Sequence, residues 1–174
     1  MINKKIGQVW IETVLYTLIG LSLIGLVLAF VTPRINDAKD KGIVEQSIDS
    51  LKAFDDKVRA VTDTPGNVRV FEFNIKRGEF YINSSSNDLI FIIDGLRKPY
   101  SEPGIEIKKK GVSIVSLEGQ KESKVILSVY YGKIDLTFNG NEESKKFSAA
   151  AMPYKFYVKG KGSIGNKYKV DISI

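Results

Sequence analysis

The chain contains no cysteine and no histidine, and these two absences rule out several kinds of functional site. Without cysteine there is no disulfide framework, no thiol nucleophile and no cysteine-ligated zinc. Without histidine, the commonest general base and the commonest metal ligand are both missing. The lack of cysteine does not place the chain in the cytosol, because an exported domain with a sufficient core needs no disulfide.

Charge of both signs is plentiful, but its distribution is very uneven. The 174 residues include 26 basic and 20 acidic ones, which gives a formal net charge of +6. A basic exterior attracts nucleic acid, anionic lipid head groups or acidic glycans, although a lysine-rich surface also serves solubility alone. We take solubility as the simpler interpretation.

The N-terminal region is almost free of charge. Between residues 8 and 32 the only charged residue is Glu12, and no charge interrupts the 18 residues from 14 to 31. That length is sufficient for a helix to span a bilayer, and it exceeds the apolar core of a secretory signal peptide. We therefore expect this segment to remain in the mature protein. Glu12 needs its own explanation, because a carboxylate within a membrane helix costs about 3 kcal/mol.

The residues around this carboxylate resemble the class III signal peptide of archaeal type IV prepilins. Lys4 and Lys5 match the short basic leader, Gly7 the small residue before the cut, Gln8 the first mature residue, and Glu12 the glutamate at the fifth mature position. The resemblance implies that a membrane-embedded prepilin peptidase cleaves between Gly7 and Gln8 on the cytoplasmic side. It covers only the leader and the apolar segment, and Ile6 stands where family leaders commonly have a basic residue.

The resemblance also implies a role for the mature N-terminus. In the family, the carboxylate at the position of Glu12 is thought to meet the free amino group of a neighbouring subunit's first residue, here Gln8. The implied protein is a cofactor-free structural subunit of an extracellular type IV pilus-like filament. It would be a membrane precursor with its C-terminal domain outside, would polymerise through its N-terminal helix with the pilus assembly machinery, and would serve adhesion or surface contact.

Other interpretations remain open at this point. A membrane-anchored extracytoplasmic β-domain that binds a ligand without polymerising would have the same apolar segment, and Glu12 would then reach the cytoplasmic membrane interface. A minor subunit that primes or caps a filament has the same motif as a major one. An archaellin is less favoured, because the glutamate at the fifth mature position is a pilin feature, and an enzyme is disfavoured because no catalytic constellation is evident.

The helix is expected to continue beyond the apolar segment. Apolar residues recur at steps of three and four over residues 34–62, as in an amphipathic helix: Ile35, Val44, Ile48, Leu51, Phe54, Val58 and Val61. Residues 62–67 form a turn signal that includes Pro65 and Gly66. Gly25 and Ala29 permit close approach of another helix, and Pro33 predicts a bend rather than a break.

The remaining sequence alternates with a period of two, which predicts strands. The expected strands are 68–75, 79–82, 89–93, 105–108, 112–117, 124–131, 134–138, 147–158 and 168–174, with a lysine-rich turn containing Gly160. The predicted fold class is α+β, a long N-terminal helix packed on a C-terminal antiparallel β-sandwich or curved sheet. The predicted segments are a leader at 1–7, a transmembrane and filament-core helix at 8–33, its amphipathic continuation at 34–62, and an extracellular β domain at 68–174.

Two surface motifs in the β domain suggest further chemistry. Asn83, with Ser84 and Ser85, forms an N-glycosylation acceptor pattern. The lysine runs at 108–110 and 159–161 are candidates for binding DNA or an acidic surface glycan, with solvated hairpin turns as the simpler interpretation. No metal site is predicted.

Overall fold

The computed structural model describes residues 4–62 and 64–174, with side chains from Val9 onward. The start of the predicted leader and Asp63 of the predicted turn lie outside these residues. The elements are α1 (Lys4–Ala60), β1 (Val68–Phe73), β2 (Glu79–Asn83), β3 (Asp88–Leu96), β4 (Glu106–Lys109), β5 (Val112–Leu117), β6 (Ser123–Tyr130), β7 (Ile134–Phe138), β8 (Lys145–Ser148), β9 (Tyr154–Ile164) and β10 (Lys167–Ser173).

Helix α1 is continuous and belongs to two compact units of the chain. The first unit ends at Lys39 and the second is Asp40–Ile174. The helix passes through Pro33 without ending, and the bend predicted there stays a prediction. At the other end, the amide and hydroxyl of Thr62 both donate to the Arg59 carbonyl, which satisfies one of the carbonyls left free at a helix terminus.

The strands of the second unit form two sheets. One has the order β1-β9-β10-β7 and the other the order β4-β5-β6-β3-β2-β8. The α+β class is therefore confirmed. Most neighbours pair antiparallel as expected, but β7 and β10 pair parallel, with Ile134 opposite Tyr168. A parallel pair needs a long connection, which the chain supplies through β8 and β9.

The strand predicted at 147–158 is wrong as a single element. The structure divides it into β8 of the six-stranded sheet and β9 of the four-stranded sheet. Pro153 lies in the connecting segment, where its missing N–H costs no ladder hydrogen bond. The Ala150 amide there donates to the Ile75 carbonyl at 3.2 Å, so the crossing between sheets is held by its own backbone contact.

The amphipathic stripe of α1 forms the centre of the core. Six of the seven predicted residues are at most 1% exposed, beginning at Val44, and both sheets contribute to the same buried cluster. Ile35 is the exception: it is 48% exposed, so the covered stripe begins two turns later than its periodicity suggests. The periodicity of apolar residues predicts which helix face a residue lies on. Whether that residue is buried depends on whether strands pack against that part of the helix.

Phe54 is the aromatic hub of this core. Its ring centroid lies 5.1 Å from that of Phe71 in β1, 5.3 Å from that of Phe156 in β9, and 5.6 Å from that of Phe80 in β2. The first two belong to the four-stranded sheet and the third to the six-stranded sheet. One helical side chain therefore contacts both sheets.

Gly160 lies within β9, and the lysine-rich turn predicted around it is wrong at this position. A Cβ atom at Gly160 would lie 2.2 Å from the carbonyl oxygen of Val61. The Gly160 amide donates to the Asn67 carbonyl at 3.1 Å, and its carbonyl accepts from Gly66 at 2.8 Å. Glycine is needed here because the backbone that follows α1 crosses directly over the strand.

Replacing Phe54 with alanine should destabilise the second unit by about 3–5 kcal/mol, because it leaves a large cavity next to three other rings. Urea unfolding of the full chain in detergent, followed by tyrosine fluorescence, measures this change. Val70→Ala is the control, because Val70 is 46% exposed and its replacement should cost less than about 0.5 kcal/mol. Equal losses in the two variants would contradict the central position of Phe54.

Candidate functional site: the exposed apolar segment of the helix

The first unit exposes an uninterrupted set of large apolar side chains, here called the apolar segment, from Val9 to Val31. Their exposed fractions range from 39% at Val14 to 72% at Tyr16 and Phe30. The most apolar window of 18 residues has a mean hydropathy of 2.5, and none of it is buried. Soluble monomers rarely leave so large a contiguous apolar surface in water.

Serine and threonine hydroxyl groups in and next to the apolar segment are satisfied by the helix itself. Each donates to the backbone carbonyl four residues earlier, at 2.7–2.9 Å. They belong to Thr13, Thr17 and Ser22, and to Thr32 directly after the segment. A polar group that is bonded within its own helix enters hydrocarbon at a much lower cost than an unsatisfied one. The segment is therefore compatible with lipid along its whole length, apart from Glu12.

By length and composition, one helix among the described residues is able to cross a membrane, and it is this one. A signal sequence near the N-terminus passes the same criterion. Comparisons of the chain with protein-family models, curated proteins and solved structures found no match.

Glu12 is the only charged residue of the apolar segment, and its side chain is exposed. Trp10 and Tyr16, which are 70% and 72% exposed, lie two residues before it and four residues after it. Residues four apart share a helix face, so Tyr16 is on the face of Glu12. Tryptophan and tyrosine are enriched at membrane interfaces, so this end of the segment has the composition typical of a membrane boundary.

The structure places the other predicted N-terminal residues on the same helix. The backbones of Lys4, Lys5, Gly7 and Gln8 lie within α1, and their side chains are outside the described part of the chain. Gly25 and Ala29 are both exposed, one turn apart.

Space around the predicted packing position is open. A Cβ atom at Gly25 would meet nothing within 4 Å. This surface is accessible to another helix, and packing there stays a prediction.

In the second unit, two of the lysines in the 108–110 run hold a hairpin to the helix. Lys109 donates to both carboxylate oxygens of Glu45 at 2.7 Å, and Lys110 pairs with Asp49 at 2.5 Å. Lys110 and Gly111 have φ angles of 54° and 83°, as the central residues of a tight hairpin turn do. These two charges are neutralised within the chain, which weakens this run as an anion site.

These two ion pairs, Lys109 with Glu45 and Lys110 with Asp49, are here called the lysine clamp, and they were not predicted from the sequence. Glu45 and Asp49 lie four apart on one face of the helix, which was the available signal. Their partners are more than sixty residues away, so the pairing itself is not evident from local pattern.

Asn83 is the last residue of β2, and its side chain is half-buried. Its amide oxygen accepts from the Ser144 hydroxyl at 2.6 Å, while Ser85 in the following turn is exposed. Glycosylation there stays a prediction.

The lysine clamp makes the stability of the second unit depend on pH. Donation from Lys109, and then from Tyr100, lowers the pKa of Glu45 below its ordinary value of 4.5. A carboxyl with a lowered folded-state pKa stabilises the fold above its unfolded pKa, and this contribution is lost as pH falls through the folded-state pKa. We expect Glu45→Gln to lower the melting temperature by a few degrees at neutral pH, and the difference from wild type to vanish in acid.

Circular dichroism of the full chain in detergent, from neutral pH to well below 4.5, measures this dependence. Glu106→Gln is the matched control, because Glu106 is exposed at the start of β4 on the same hairpin. A difference between wild type and Glu45→Gln that persists unchanged in acid would contradict the ion pair as its cause.

Proposed function

We propose that this protein is a structural subunit of an extracellular type IV pilus-like filament, processed by a prepilin peptidase and polymerised through its N-terminal helix. The observation that carries the proposal is the fully uncovered apolar segment with a single carboxylate near its start. The chain must bury this surface in lipid before assembly and among other copies of itself afterwards. The prepilin-like residues from Lys4 to Glu12 supply the register and the cleavage point.

Glu12 has a specific task in this proposal. Hydrocarbon packing between apolar helices has little directional preference, so it does not define how far one subunit lies along another. An ion pair between Glu12 and the amine of Gln8 on a neighbouring copy has one allowed position, and a low dielectric strengthens it. Breaking such a pair leaves one charge buried without a partner, which costs about 3–5 kcal/mol.

The second unit supplies the exterior of the filament. Its core is closed around the helical stripe, and its lysine-rich surface suits contact with an aqueous environment. Adhesion or surface contact is the use that this arrangement supports.

A membrane-anchored binding module that does not polymerise is the second candidate. The specific observation in its favour is the position of Trp10 and Tyr16 around Glu12. If these rings lie at the membrane interface, Glu12 reaches water and needs no partner from another subunit.

Leader removal is the first test of this proposal. The membrane-extracted native protein should begin at Gln8, lighter by its first seven residues, when read by intact mass and N-terminal peptide sequencing. Gly7→Leu should retain the leader, because the peptidase requires a small residue there. Ile6→Lys, which introduces the basic residue common in family leaders, should be cleaved at least as completely as wild type. A native chain that begins at Met1 or Ile2 would favour the anchored module.

Assembly should depend on the charge of Glu12. Glu12→Gln keeps the shape of the side chain and should insert in the membrane normally, yet reduce filament yield at least about a hundredfold, since the buried amine loses its partner. Electron microscopy and sedimentation of sheared filaments measure the yield.

Thr17→Val is the control, because it removes a hydroxyl that is bonded within the same helix. It should leave assembly intact. Abundant filaments from Glu12→Gln would refute the proposed pair.

A further inference from the structure

A cleft of about 390 Å³ lies in the second unit beside the C-terminal end of α1. Its lining includes Arg59 of the helix and, from the strands and the loop after β6, Tyr130, Tyr131, Lys133, Ile134 and Tyr168. A second depression of about 380 Å³ shares Lys133 and Tyr168 and adds Ser163, Gly165 and Asn166. The two depressions adjoin at these residues and are here together called the tyrosine trough.

Two exposed aromatic rings border the tyrosine trough. Tyr130, at the end of β6, is 71% exposed, and Tyr168 in β10 is 40% exposed. Gly132 also lines the trough. A Cβ atom at this position would be in van der Waals contact with the Tyr130 ring, at 3.7 Å. Exposed tyrosines offer a flat apolar surface together with a hydroxyl, which suits a ligand that is apolar on one face and polar at its edge.

The arginine of the trough is fixed in place. The Arg59 Nε atom donates to the Asp55 carboxylate at 2.8 Å, and the guanidinium lies over the Tyr131 ring at 5.4 Å. Within the described residues, its terminal nitrogens make no hydrogen bond and are available as donors. A pre-positioned guanidinium loses little freedom when it meets an anionic group.

The second cation of the trough is Lys133, which differs from Arg59 in having no ion-pair partner among the described residues. In the part of the chain that the structure describes, the Lys133 ammonium pairs with no carboxylate, and no carboxylate lines the trough. Tyr131 is 3% exposed, so its hydroxyl is enclosed in the core and is not open to a ligand. Lys133 therefore gives the trough one positive charge that no described carboxylate neutralises, beside the terminal nitrogens of Arg59.

We propose that the tyrosine trough binds an acidic saccharide. The C–H face of a pyranose ring lies against Tyr130 and Tyr168, and its hydroxyl groups hydrogen-bond with Asn166 and Ser163. A carboxylate or sulfate of the sugar meets Lys133 and Arg59 in charge-assisted hydrogen bonds. This site does not include the run at 108–110, whose Lys109 and Lys110 pair with Glu45 and Asp49.

Nucleic acid fits the same surface less well. Binding a phosphodiester chain requires a continuous track of cations. The lysines next to the trough are already paired, Lys167 with Asp135 at 2.8 Å and Lys161 with Asp171 at 3.3 Å. One unpaired lysine and one arginine with open terminal nitrogens, beside two rings, match one or two acidic sugar units better than a strand of phosphates.

The inference goes beyond filament assembly, because the trough belongs to the second unit and would bind in a single subunit. The test therefore uses the detergent-solubilised full chain, titrated by calorimetry with oligogalacturonate and, separately, with a heparin-derived oligosaccharide. Neutral cello-oligosaccharides and oligo(dT) are the comparison ligands. At least one acidic saccharide should bind, and Tyr130→Ala and Lys133→Gln should each weaken it by about tenfold or more.

The matched controls are Tyr157→Ala and Lys108→Gln, because Tyr157 is 38% exposed on β9 and Lys108 is an exposed lysine of β4 that does not line the trough. Both should bind as wild type does. Tyr130 and Lys133 are exposed, so their variants should keep the wild-type melting temperature. Tyr130→Phe should retain binding, because the ring surface remains.

Three results would overturn the proposal. The first is no binding of either acidic saccharide. The second is an equal loss of binding in the control variants, which indicates general attraction to a basic surface. The third is tighter binding of oligo(dT) than of either saccharide, lost in Tyr130→Ala and Lys133→Gln alike, which would assign the trough to nucleic acid.

Discussion

Burial of one helical stripe is the interaction on which the second unit depends. The six stripe residues between Val44 and Val61 are enclosed by strands of both sheets, and Phe54 contacts rings from each. Burial of a large apolar side chain is worth about 1.5–3 kcal/mol, so six buried positions on one helix outweigh any surface contact of this unit. The ion pairs at Asp40, Glu45 and Asp49 lie along the edges of this stripe. They fix the positions of the segments they join and contribute little to the free energy of folding.

The two parts of helix α1 differ in how their apolar residues are arranged around the helix axis. After Asp40 its apolar residues are confined to one stripe, which the strands of the same chain cover. Before Lys39 they surround the helix, and the chain leaves them exposed. A stripe is suited to one partner surface, whereas apolar residues on every side require an apolar medium or several neighbours at once. This difference in pattern is the physical basis of the proposed function.

The sequence allowed the main elements to be predicted because their signals are local. The helix was evident from its apolar run and stripe, and most strands from alternation and turn residues. The parallel pairing of β7 and β10 was not predictable, since it depends on a connection that passes through the other sheet. The same holds for the division of residues 147–158 and for Gly160, whose need for a bare backbone comes from Val61, ninety-nine positions earlier.

The sites follow the same division between local and distant signals. The prepilin-like residues from Lys4 to Glu12 are contiguous, so they could be recognised as a motif from the sequence, and their roles stay predictions. The lysine clamp and the tyrosine trough join side chains from distant parts of the chain, such as Arg59 with Tyr131, and no single segment reveals them. Adjacent tyrosines at 130 and 131 were visible, but only the fold shows that one is buried and the other open.

The pairing of β1 with β9 has a consequence for the order in which the chain can mature. Val68 has its partner at Lys159, and β9 is in turn held by β10, which ends at Ser173. A ribosome completes the helix and β1 early, yet one side of the helix has no complete cover until β9 and β10 have been synthesised. Contacts of such long sequence separation form slowly. A nascent chain therefore exposes its apolar stripe until these two strands are available, and a chain truncated before β9 would leave it exposed permanently.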